Sequence, residues 1–329
     1  VTGVQTCALP ISCTLNMFAS RIMKGFQPVK LARSFSFYSS NHNLVSTEWV
    51  YNRLGDVKIL DTTRHISPHE NAKTEFEVKH LPEAQFLDLE TLCQKGPEKI
   101  KKLPTPEMFK ETMESLGISD KDEVVLYDSQ GIYSSARAWF MFRVFNKDVK
   151  IHVMNGGLIR WETEKYPIES GKGVSVNKSS FSLKTDTSLV YTTEEMKQRV
   201  KEYKSGLLKR TAIDARRECC FHGTCRVPIP NIPRGHIPGS VNIPFHYITD
   251  PYNNYMIRSP QELKTIFDKH GVFVQEPEKM IFTCDYGMSA CVDLFAMYLL
   301  GRPLEGHCAV YDGSWMEYAL NERDRKSVV

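Results

Sequence analysis

Short apolar runs rich in β-branched residues alternate along the chain with longer amphipathic stretches. The apolar runs predict β-strands over Val57–Leu60, Val124–Tyr127, Ile151–Val153, Thr211–Ile213, Met280–Thr283 and Ala309–Tyr311. Helices are predicted over Pro106–Leu116 and Pro260–Lys269, because each has a proline near its start and a glycine shortly after its end. This alternation predicts an α/β fold, with a mainly parallel sheet covered by helices on both faces.

The pattern of motifs repeats once along the chain. The segments VKILDTTR (57–64) and KHLPEAQFLD (79–88) are matched by RTAIDARR (210–217) and GHIPGSVNIP (235–244). Further on, EVVLYDSQGIYSSARAWFMFRVF (123–145) is matched by KMIFTCDYGMSACVDLFAMYLL (279–300), and VMNGGLIRW (153–161) by VYDGSWMEY (310–318). Corresponding residues are separated by 153 to 157 positions in all four pairs, which indicates a domain duplication.

The duplication and the length of 329 residues both predict two domains. We place the first domain at 43–168 and the second at 187–321. The segment 169–186 between them is rich in Lys, Ser, Gly and Thr, and this composition predicts a linker.

The composition is that of an ordinary globular protein, with 41 % hydrophobic and 25 % charged residues, which argues against wholesale disorder and a coiled coil. No apolar run approaches the ~18 residues of a membrane-spanning helix, which argues against an integral membrane protein. The net charge of +3 is too small to indicate nucleic-acid binding. We therefore expect neither a membrane nor a nucleic acid as a partner.

The two ends of the chain differ from its middle. Residues 1–47 contain no Asp or Glu, and the stretch from Met17 is rich in Arg and Ser. This composition is typical of a mitochondrial transit peptide, with an ordinary disordered tail as the alternative, and it predicts delivery to the mitochondrial matrix. The sequences VTGVQTCALPIS at 1–12 and DRKSVV at 324–329 resemble translations of a sequencing-library adapter. We therefore expect 1–42 to be adapter plus transit peptide, and 322–329 to be a tail of the same artificial origin.

The chain has nine cysteines, at positions 7, 13, 93, 219, 220, 225, 284, 291 and 308. No Cys-x-x-Cys or Cys/His group has the spacing of zinc ligands, so no metal site is expected. The count is odd and the N-terminus is not secretory, which argues against a disulfide scaffold. For Cys93, Cys291 and Cys308 we expect a buried structural role.

Cys284 stands apart because it directly follows a predicted strand and precedes a short loop and an apolar helix from Ala290 to Leu300. The carboxyl ends of parallel strands carry the functional sites of α/β proteins. Loop N–H groups and the positive end of a helix dipole stabilise a thiolate, which is the nucleophilic form of cysteine. Gly287 lets the loop bend tightly enough for those N–H groups to converge.

Taken together, HLPEAQFLD, GHIPGSVNIPF, CDYGMSAC and VYDGSWMEY resemble the tandem-domain sulfurtransferases, the family of thiosulfate sulfurtransferase (rhodanese) and 3-mercaptopyruvate sulfurtransferase. The resemblance covers about residues 43–320 and implies two tandem rhodanese-like domains. In this family the N-terminal copy is catalytically silent, and the C-terminal copy holds a cysteine on a six-residue loop. Asp128 occupies the position of the first copy that matches Cys284, in agreement with a silent first copy.

The resemblance implies covalent catalysis, in which Cys284 takes the outer sulfur of a small anionic donor and becomes a persulfide. The donor is thiosulfate or 3-mercaptopyruvate, and the acceptor is cyanide or a thiol, including that of a thioredoxin-like protein. The N–H groups of the loop, formed by Asp285, Tyr286, Gly287, Met288, Ser289 and Ala290, are expected to hold the terminal sulfur. No metal and no organic cofactor is expected.

The loop departs from both branches of the family. The residues after the cysteine read Arg-Lys-Gly in rhodanese proper and Gly-Ser-Gly in the mercaptopyruvate enzymes, but Asp285, Tyr286 and Gly287 here. Asp285 would disfavour the neighbouring thiolate if it pointed inward, and we expect it to point to solvent. The hydroxyl of the Ser/His/Asp relay in mercaptopyruvate enzymes falls on Tyr286, and the other relay positions fall on Glu90 and Lys101.

The substrate clamp of the family is also altered. Cys220 and Ile229 stand where two arginines are expected. Arg217, Arg226 and a protonated His222 lie nearby in the sequence and are predicted to bind the carboxylate or sulfonate of the donor.

Of two alternatives to the sulfurtransferase interpretation, the sequence excludes one and leaves the other open. A Cys-x5-Arg phosphatase is excluded because Ala290 occupies the arginine position and the loop is one residue too short. A weakly catalytic or non-catalytic rhodanese-like module, acting as a sulfur carrier or regulatory binding domain, stays open because of the altered loop and clamp.

Overall fold

The fold is described from a computed structural model of the chain, in residues 43–65, 70–95, 101–225 and 232–321. The predicted adapter and transit peptide at 1–42 and the predicted tail at 322–329 lie outside the described residues. Arg226, one of the predicted clamp residues, lies outside them as well.

The first domain is built on a five-stranded parallel sheet with the strand order β1-β7-β6-β2-β3. Its strands are β1 (Leu44–Val45), β2 (Lys58–Asp61), β3 (Ala84–Phe86), β6 (Glu123–Tyr127) and β7 (Lys150–Met154). Its helices are α1 (Thr47–Tyr51), α2 (Ala72–Val78), α3 (Pro106–Ser115), α4 (Ser134–Phe145) and α5 (Gly157–Thr163). A small antiparallel pair, β4 (Gln94–Lys95) and β5 (Lys101–Lys102), precedes α3.

The second domain repeats this plan, with a five-stranded parallel sheet in the order β10-β9-β13-β14-β8. Its strands are β8 (Val190–Tyr191), β9 (Ile213–Asp214), β10 (Val241–Asn242), β13 (Met280–Thr283) and β14 (Cys308–Tyr311). Its helices are α6 (Thr193–Lys204), α7 (Glu218–Phe221), α8 (Pro260–Lys269), α9 (Ala290–Leu299) and α10 (Ser314–Asn321), and an antiparallel pair, β11 (Thr249–Asp250) and β12 (Met256–Ile257), precedes α8. The equivalent strands occupy equivalent places in both sheets, as expected for a duplication.

The predicted elements are present, and their local chemistry explains where they begin. Helices α3 and α8 each start with a proline, preceded by a residue whose hydroxyl accepts a backbone N–H: Thr105 from Met108, and Ser259 from Glu262. The observed strands agree with the predicted runs to within two residues at each end. The predicted α/β class with parallel sheets is therefore confirmed.

The segment predicted as a linker is packed along the first domain rather than held away from it. Glu169 pairs with His80 through two backbone hydrogen bonds of 2.9 Å. Further on, Phe181 is fully buried, with its ring 5.7 Å from that of Phe109. The connection between the copies thus contributes a core residue to the first domain.

Helices α4 and α9 pack against each other across the two domains. The Trp139 ring lies 4.8 Å from that of Phe295 and 5.1 Å from that of Tyr298, and buried apolar residues of both domains form one continuous core. Each of these helices follows the loop at the carboxyl end of its central strand, β6 or β13, so their packing brings the two functional edges of the sheets together. In the described part of the chain, no helix combines the length and apolar character that crossing a membrane requires.

Candidate functional site

Cys284 lies directly after β13, with 2 % of its surface exposed. Its N–H donates to Ser314 Oγ at 3.2 Å, and its carbonyl accepts the N–H of Trp315 at 2.9 Å. Both partners begin α10, which follows the neighbouring strand β14. The backbone of the candidate nucleophile is therefore fixed from the adjacent strand, while the loop 284–289 turns away toward α9.

Gly287 forms the turn of this loop, with a φ of +73°. Its carbonyl accepts hydrogen bonds from Arg137 Nη1 and Cys291 Sγ, both at 3.1 Å. Arg137 belongs to α4 of the first domain, is almost fully buried, and also donates to Asp312 Oδ1 at 2.7 Å. The first domain thus supplies a structural support for the loop of the second domain.

A Gly287→Ala variant should lose about 2–5 kcal/mol of unfolding free energy. The left-handed φ costs a Cβ-bearing residue about 1–2 kcal/mol, and overpacking adds about 1–3 kcal/mol because the new Cβ would lie 2.9 Å from the ion-paired Arg137 Nη1. Gly271→Ala is the matched control, since Gly271 has a φ of +68° but nothing within 4 Å of its Cβ position. Urea denaturation measures both, and equal losses would contradict the proposed close approach.

In the matching loop of the first domain, the backbone N–H groups surround a carboxylate. Asp128, fully buried at the position equivalent to Cys284, accepts the N–H groups of Gln130, Tyr133 and Ser135 at 2.8–2.9 Å and the Ser135 hydroxyl at 2.7 Å. The loop is therefore a cradle of N–H groups around a negative charge.

In the second domain, Tyr286 and Ser289 correspond to Gln130 and Tyr133. Within the described residues, the N–H groups of Tyr286 and Ser289 donate to no protein acceptor. The third counterpart differs, because the N–H of Cys291 donates to the carbonyl of Met288 at 3.1 Å. Two donors of the cradle are thus available to an anion built on Cys284.

Asp285 does not point simply to solvent, so that expectation is wrong. Its carboxylate lies 3.6 Å from Arg216 Nη1 and its side chain is only 29 % exposed. Burial raises the pKa of Asp285 to about 6, against the opposing effect of Arg216. Arg216 is itself buried and donates to both carboxylate oxygens of Asp214, at 2.6–3.1 Å. Asp214 and Arg216 therefore hold the first residue of the loop after Cys284.

A cleft of about 880 Å³ opens beside this loop and is lined by both domains. Asp285 and Ser289 line it from the loop after Cys284, Cys220 lines it from α7, and Arg217 lines it from the position before α7. The first domain contributes Tyr133, among others. The cleft therefore gives a small molecule a path to the loop.

The predicted clamp residues are only partly brought together. Arg217 is exposed at the cleft. His222 is exposed with its ring 5.2 Å from that of Phe221, and it is not among the residues that line the cleft. Arg216 and Arg137 were not among the predicted site residues. The place of Arg216 just after β9, beside the central strand, is a signal that could have pointed to it.

The relay positions form a charged contact instead of a Ser/His/Asp relay. Lys101 Nζ makes an ion pair with Glu90, whose other oxygen accepts from Arg64 Nε at 2.9 Å. Tyr286 is half-buried and lines a small pocket together with Arg64 and Lys101. Burial, with the charge of Asp285, raises the pKa of the Tyr286 hydroxyl to about 12, so this group is a neutral hydrogen-bonding group at physiological pH.

Three thiols outside the Cys284 loop also come together. The Sγ atoms of Cys219, Cys220 and Cys225 all lie within 4.8 Å of one another. Within the described residues, these three thiols are grouped closely enough to hold a metal ion. Linear spacing gave no indication of this cluster, because a turn after α7 folds Cys225 back onto the helix. It has no counterpart among the predicted site residues.

Comparison with known proteins gives consistent matches over most of the chain. A family model described as the rhodanese-like domain matches twice, over residues 46–164 and 192–321. The thiosulfate/3-mercaptopyruvate sulfurtransferase 1, mitochondrial, of Arabidopsis thaliana is 34 % identical over 315 residues, covering 88 % of this chain and 79 % of the relative. The 3-mercaptopyruvate sulfurtransferase of Mus musculus is 34 % identical over 287 residues, covering 84 % and 92 %. The crystal structure of SseA from Escherichia coli, described as a 3-mercaptopyruvate sulfotransferase, is 28 % identical with a TM-score of 0.71, covering 83 % of this chain and 98 % of that one.

Proposed function

Because the chain belongs to the rhodanese-like family, with two copies of the domain, we propose that it is a sulfurtransferase that carries sulfane sulfur on Cys284. The observation that carries the proposal is the pair of matching loops. One loop surrounds the Asp128 carboxylate with N–H donors, and the other presents Cys284 at the same place with two of those donors available. An anionic persulfide on Cys284 would be held as the carboxylate is.

In the first step, the Cys284 thiolate attacks the outer sulfur of the donor. A new S–S bond forms on Cys284 as the bond between that sulfur and the rest of the donor breaks. The electron pair leaves with sulfite when the donor is thiosulfate, or with the enolate of pyruvate when it is 3-mercaptopyruvate. The terminal sulfur acquires the negative charge, which the N–H groups of Tyr286 and Ser289 stabilise.

In the second step, a thiophilic acceptor removes the outer sulfur and regenerates the Cys284 thiolate. Cyanide would leave as thiocyanate, and a thiol would leave as a persulfide. The group is carried by the protein's own sulfur throughout, so each half-reaction needs only the nucleophile, the cradle and access through the cleft.

Steady-state assays with each donor test the proposal. We expect turnover with thiosulfate plus cyanide or with 3-mercaptopyruvate plus a thiol, and the ratio of the two kcat/KM values would identify the preferred donor. A folded protein inactive with both donors would instead support the binding-module alternative. That alternative is motivated by the acidic loop residue Asp285 and by Cys220 at a predicted arginine position.

Arg217 is the described clamp candidate that lines the cleft, and we propose that it binds the carboxylate or sulfonate of the donor. An Arg217→Met variant should raise KM for the donor about tenfold with little change in kcat, because the lost contact is made equally in the ground and transition states. Initial-rate kinetics measure the split between the two constants. Arg258→Met, at an arginine outside the cleft lining, is the control, and an unchanged KM in Arg217→Met would contradict the role.

The charge of Asp285 should oppose binding of anionic donors above pH 6. The pKa of Asp285 is about 6, so its carboxylate is neutral at pH 5 and ionised at pH 8. Removing that charge in Asp285→Asn should leave kcat/KM near the wild-type value at pH 5 and raise it about three- to tenfold at pH 8. Rates from pH 5 to 8 test this, with Asp268→Asn as a surface control. A ratio that stays flat with pH would contradict it.

We also propose that the protein acts in mitochondria, with the matrix as the compartment and 17–42 as the transit peptide. The support is the acid-free composition of that segment and the mitochondrial name of the Arabidopsis relative. A fluorescent protein fused after residue 42 should reach the matrix, and the same fusion lacking 17–42 should stay in the cytosol. A matrix signal from both fusions would contradict the assignment.

A further inference from the structure

Cys219, Cys220 and Cys225 form the three-thiol cluster beside the cleft. Cys219 and Cys220 lie in α7, and the backbone N–H groups of Thr224 and Cys225 both donate to the Cys219 carbonyl, at 2.8 and 3.1 Å. This turn places Cys225 Sγ 2.9 Å from Cys220 Sγ. The two sulfur atoms are close enough that a disulfide between them needs only a small movement.

The pKa values of the Cys220 and Cys225 thiols are shifted in opposite directions. Burial opposes ionisation of Cys225, but hydrogen bonds from the Cys219 and Cys220 thiols outweigh it and lower the pKa of Cys225. Burial and the same hydrogen bond raise the pKa of Cys220. Cys225 is therefore placed to accept the Cys220 proton, which is the arrangement that activates a dithiol for exchange.

The cluster also faces the catalytic loop. Cys220 lines the same cleft as Asp285 and Ser289. Asp285 directly follows Cys284, and Ser289 is the last residue of the loop before α9. Cys220 and Cys225 are half-buried, so an external reductant has access to them. The loop that follows Cys284 thus shares a cavity with Cys220, and the resolving partner of Cys220 is already in contact with it.

We propose that Cys220 and Cys225 are a built-in dithiol acceptor that reduces the sulfane sulfur of Cys284 to hydrogen sulfide. The inference rests on the proposed sulfurtransferase function and names the acceptor for its second half-reaction.

The exchange takes place in two balanced steps. Cys220 sulfur attacks the outer sulfur of the Cys284 persulfide, its proton passes to Cys225 when Cys225 is in its thiolate form, and the Cys284 thiolate leaves. Cys225 sulfur then attacks the inner sulfur of the Cys220 persulfide, and its proton leaves with the displaced sulfur as HS⁻. One sulfane sulfur is reduced to sulfide, and two thiols are oxidised to the Cys220–Cys225 disulfide. An external thiol restores the dithiol for the next cycle.

A single-turnover experiment tests the inference. The full chain, reduced, washed with a chelator and freed of small thiols, is mixed with 3-mercaptopyruvate and, separately, with thiosulfate. Hydrogen sulfide is quantified, and peptide mass spectrometry locates persulfides and disulfides. The variants are Cys225→Ser, Cys219→Ser as the matched control within the cluster, whose hydroxyl can still donate to Cys225, and Cys284→Ser, each checked for folding by circular dichroism.

The wild type and Cys219→Ser should release about one hydrogen sulfide per chain and form the Cys220–Cys225 disulfide. Cys225→Ser should take up sulfur on Cys284 yet release at least about tenfold less hydrogen sulfide. Equal release from Cys225→Ser and wild type would overturn the inference while leaving the proposed function intact. Stoichiometric Zn²⁺ binding to the cluster, with no disulfide formed by the donor, would overturn it in favour of a metal site. If Cys284 takes up no sulfur in any variant, the proposed function fails and the inference with it.

Discussion

A Cys284→Ser variant is expected to fold normally and to lose at least about 10³-fold in kcat/KM with either donor. In the proposed mechanism the thiol forms the covalent bond to sulfur, and an alcohol at the same place is neither ionised at neutral pH nor able to carry a sulfane sulfur as a persulfide. The Cys284 backbone is fixed by Ser314 and Trp315 rather than by its sulfur, so the substitution should leave the loop in place.

Cys93→Ser is the control for this loss, because Cys93 is another buried thiol and its Sγ donates to the Glu90 carbonyl, a bond that a serine hydroxyl retains. It should keep most of the wild-type rate. Cys284→Ser activity comparable to that of Cys93→Ser would remove Cys284 as the nucleophile.

The second large effect is expected at Arg137, which joins the first domain to the loop that follows Cys284. Arg137 donates to the Gly287 carbonyl and to the Asp312 carboxylate, whose other oxygen accepts the N–H of Leu103 at 2.8 Å. Arg137→Met would leave the Asp312 carboxylate buried without its cation. Breaking a buried ion pair from one side costs about 3–5 kcal/mol, so we expect a loss of that size in unfolding free energy together with lower turnover.

Lys147→Met provides the comparison, since Lys147 also pairs across the domains, with Glu305, but both side chains are about half exposed. An exposed pair contributes at most about 1 kcal/mol, so this variant should be nearly as stable as wild type. Urea denaturation of the two variants separates the cases. Similar small losses in both would show that Arg137 does not support the loop.

The fold could be predicted from the sequence because its signals are local. Apolar runs such as Met280–Thr283 and capped helices such as Pro260–Lys269 are specified by neighbouring residues, and the duplication repeated each signal. The place of Cys284 followed from the same logic, since a residue after a central parallel strand lies at the functional edge.

The surroundings of Cys284 could not be predicted in this way, because they come from distant parts of the chain. Arg137 reaches Gly287 from the other domain, and Arg216 turned Asp285 away from its expected place in solvent. The contact of Cys220 with Cys225 depends on a turn that the spacing of the cysteines does not reveal. Such contacts are set by tertiary packing, which sequence periodicity does not encode.

The most direct test of the central claim is to locate the transferred sulfur atom. Cys225→Ser and Cys284→Ser would each be mixed with the donor in the absence of any external acceptor, quenched by alkylation, digested and examined by mass spectrometry. We expect Cys225→Ser to carry one added sulfur atom on Cys284, and Cys284→Ser to carry none at any cysteine. Sulfur bound to another cysteine in Cys284→Ser, at the yield seen on Cys284, would contradict the claim that Cys284 is the sulfur carrier.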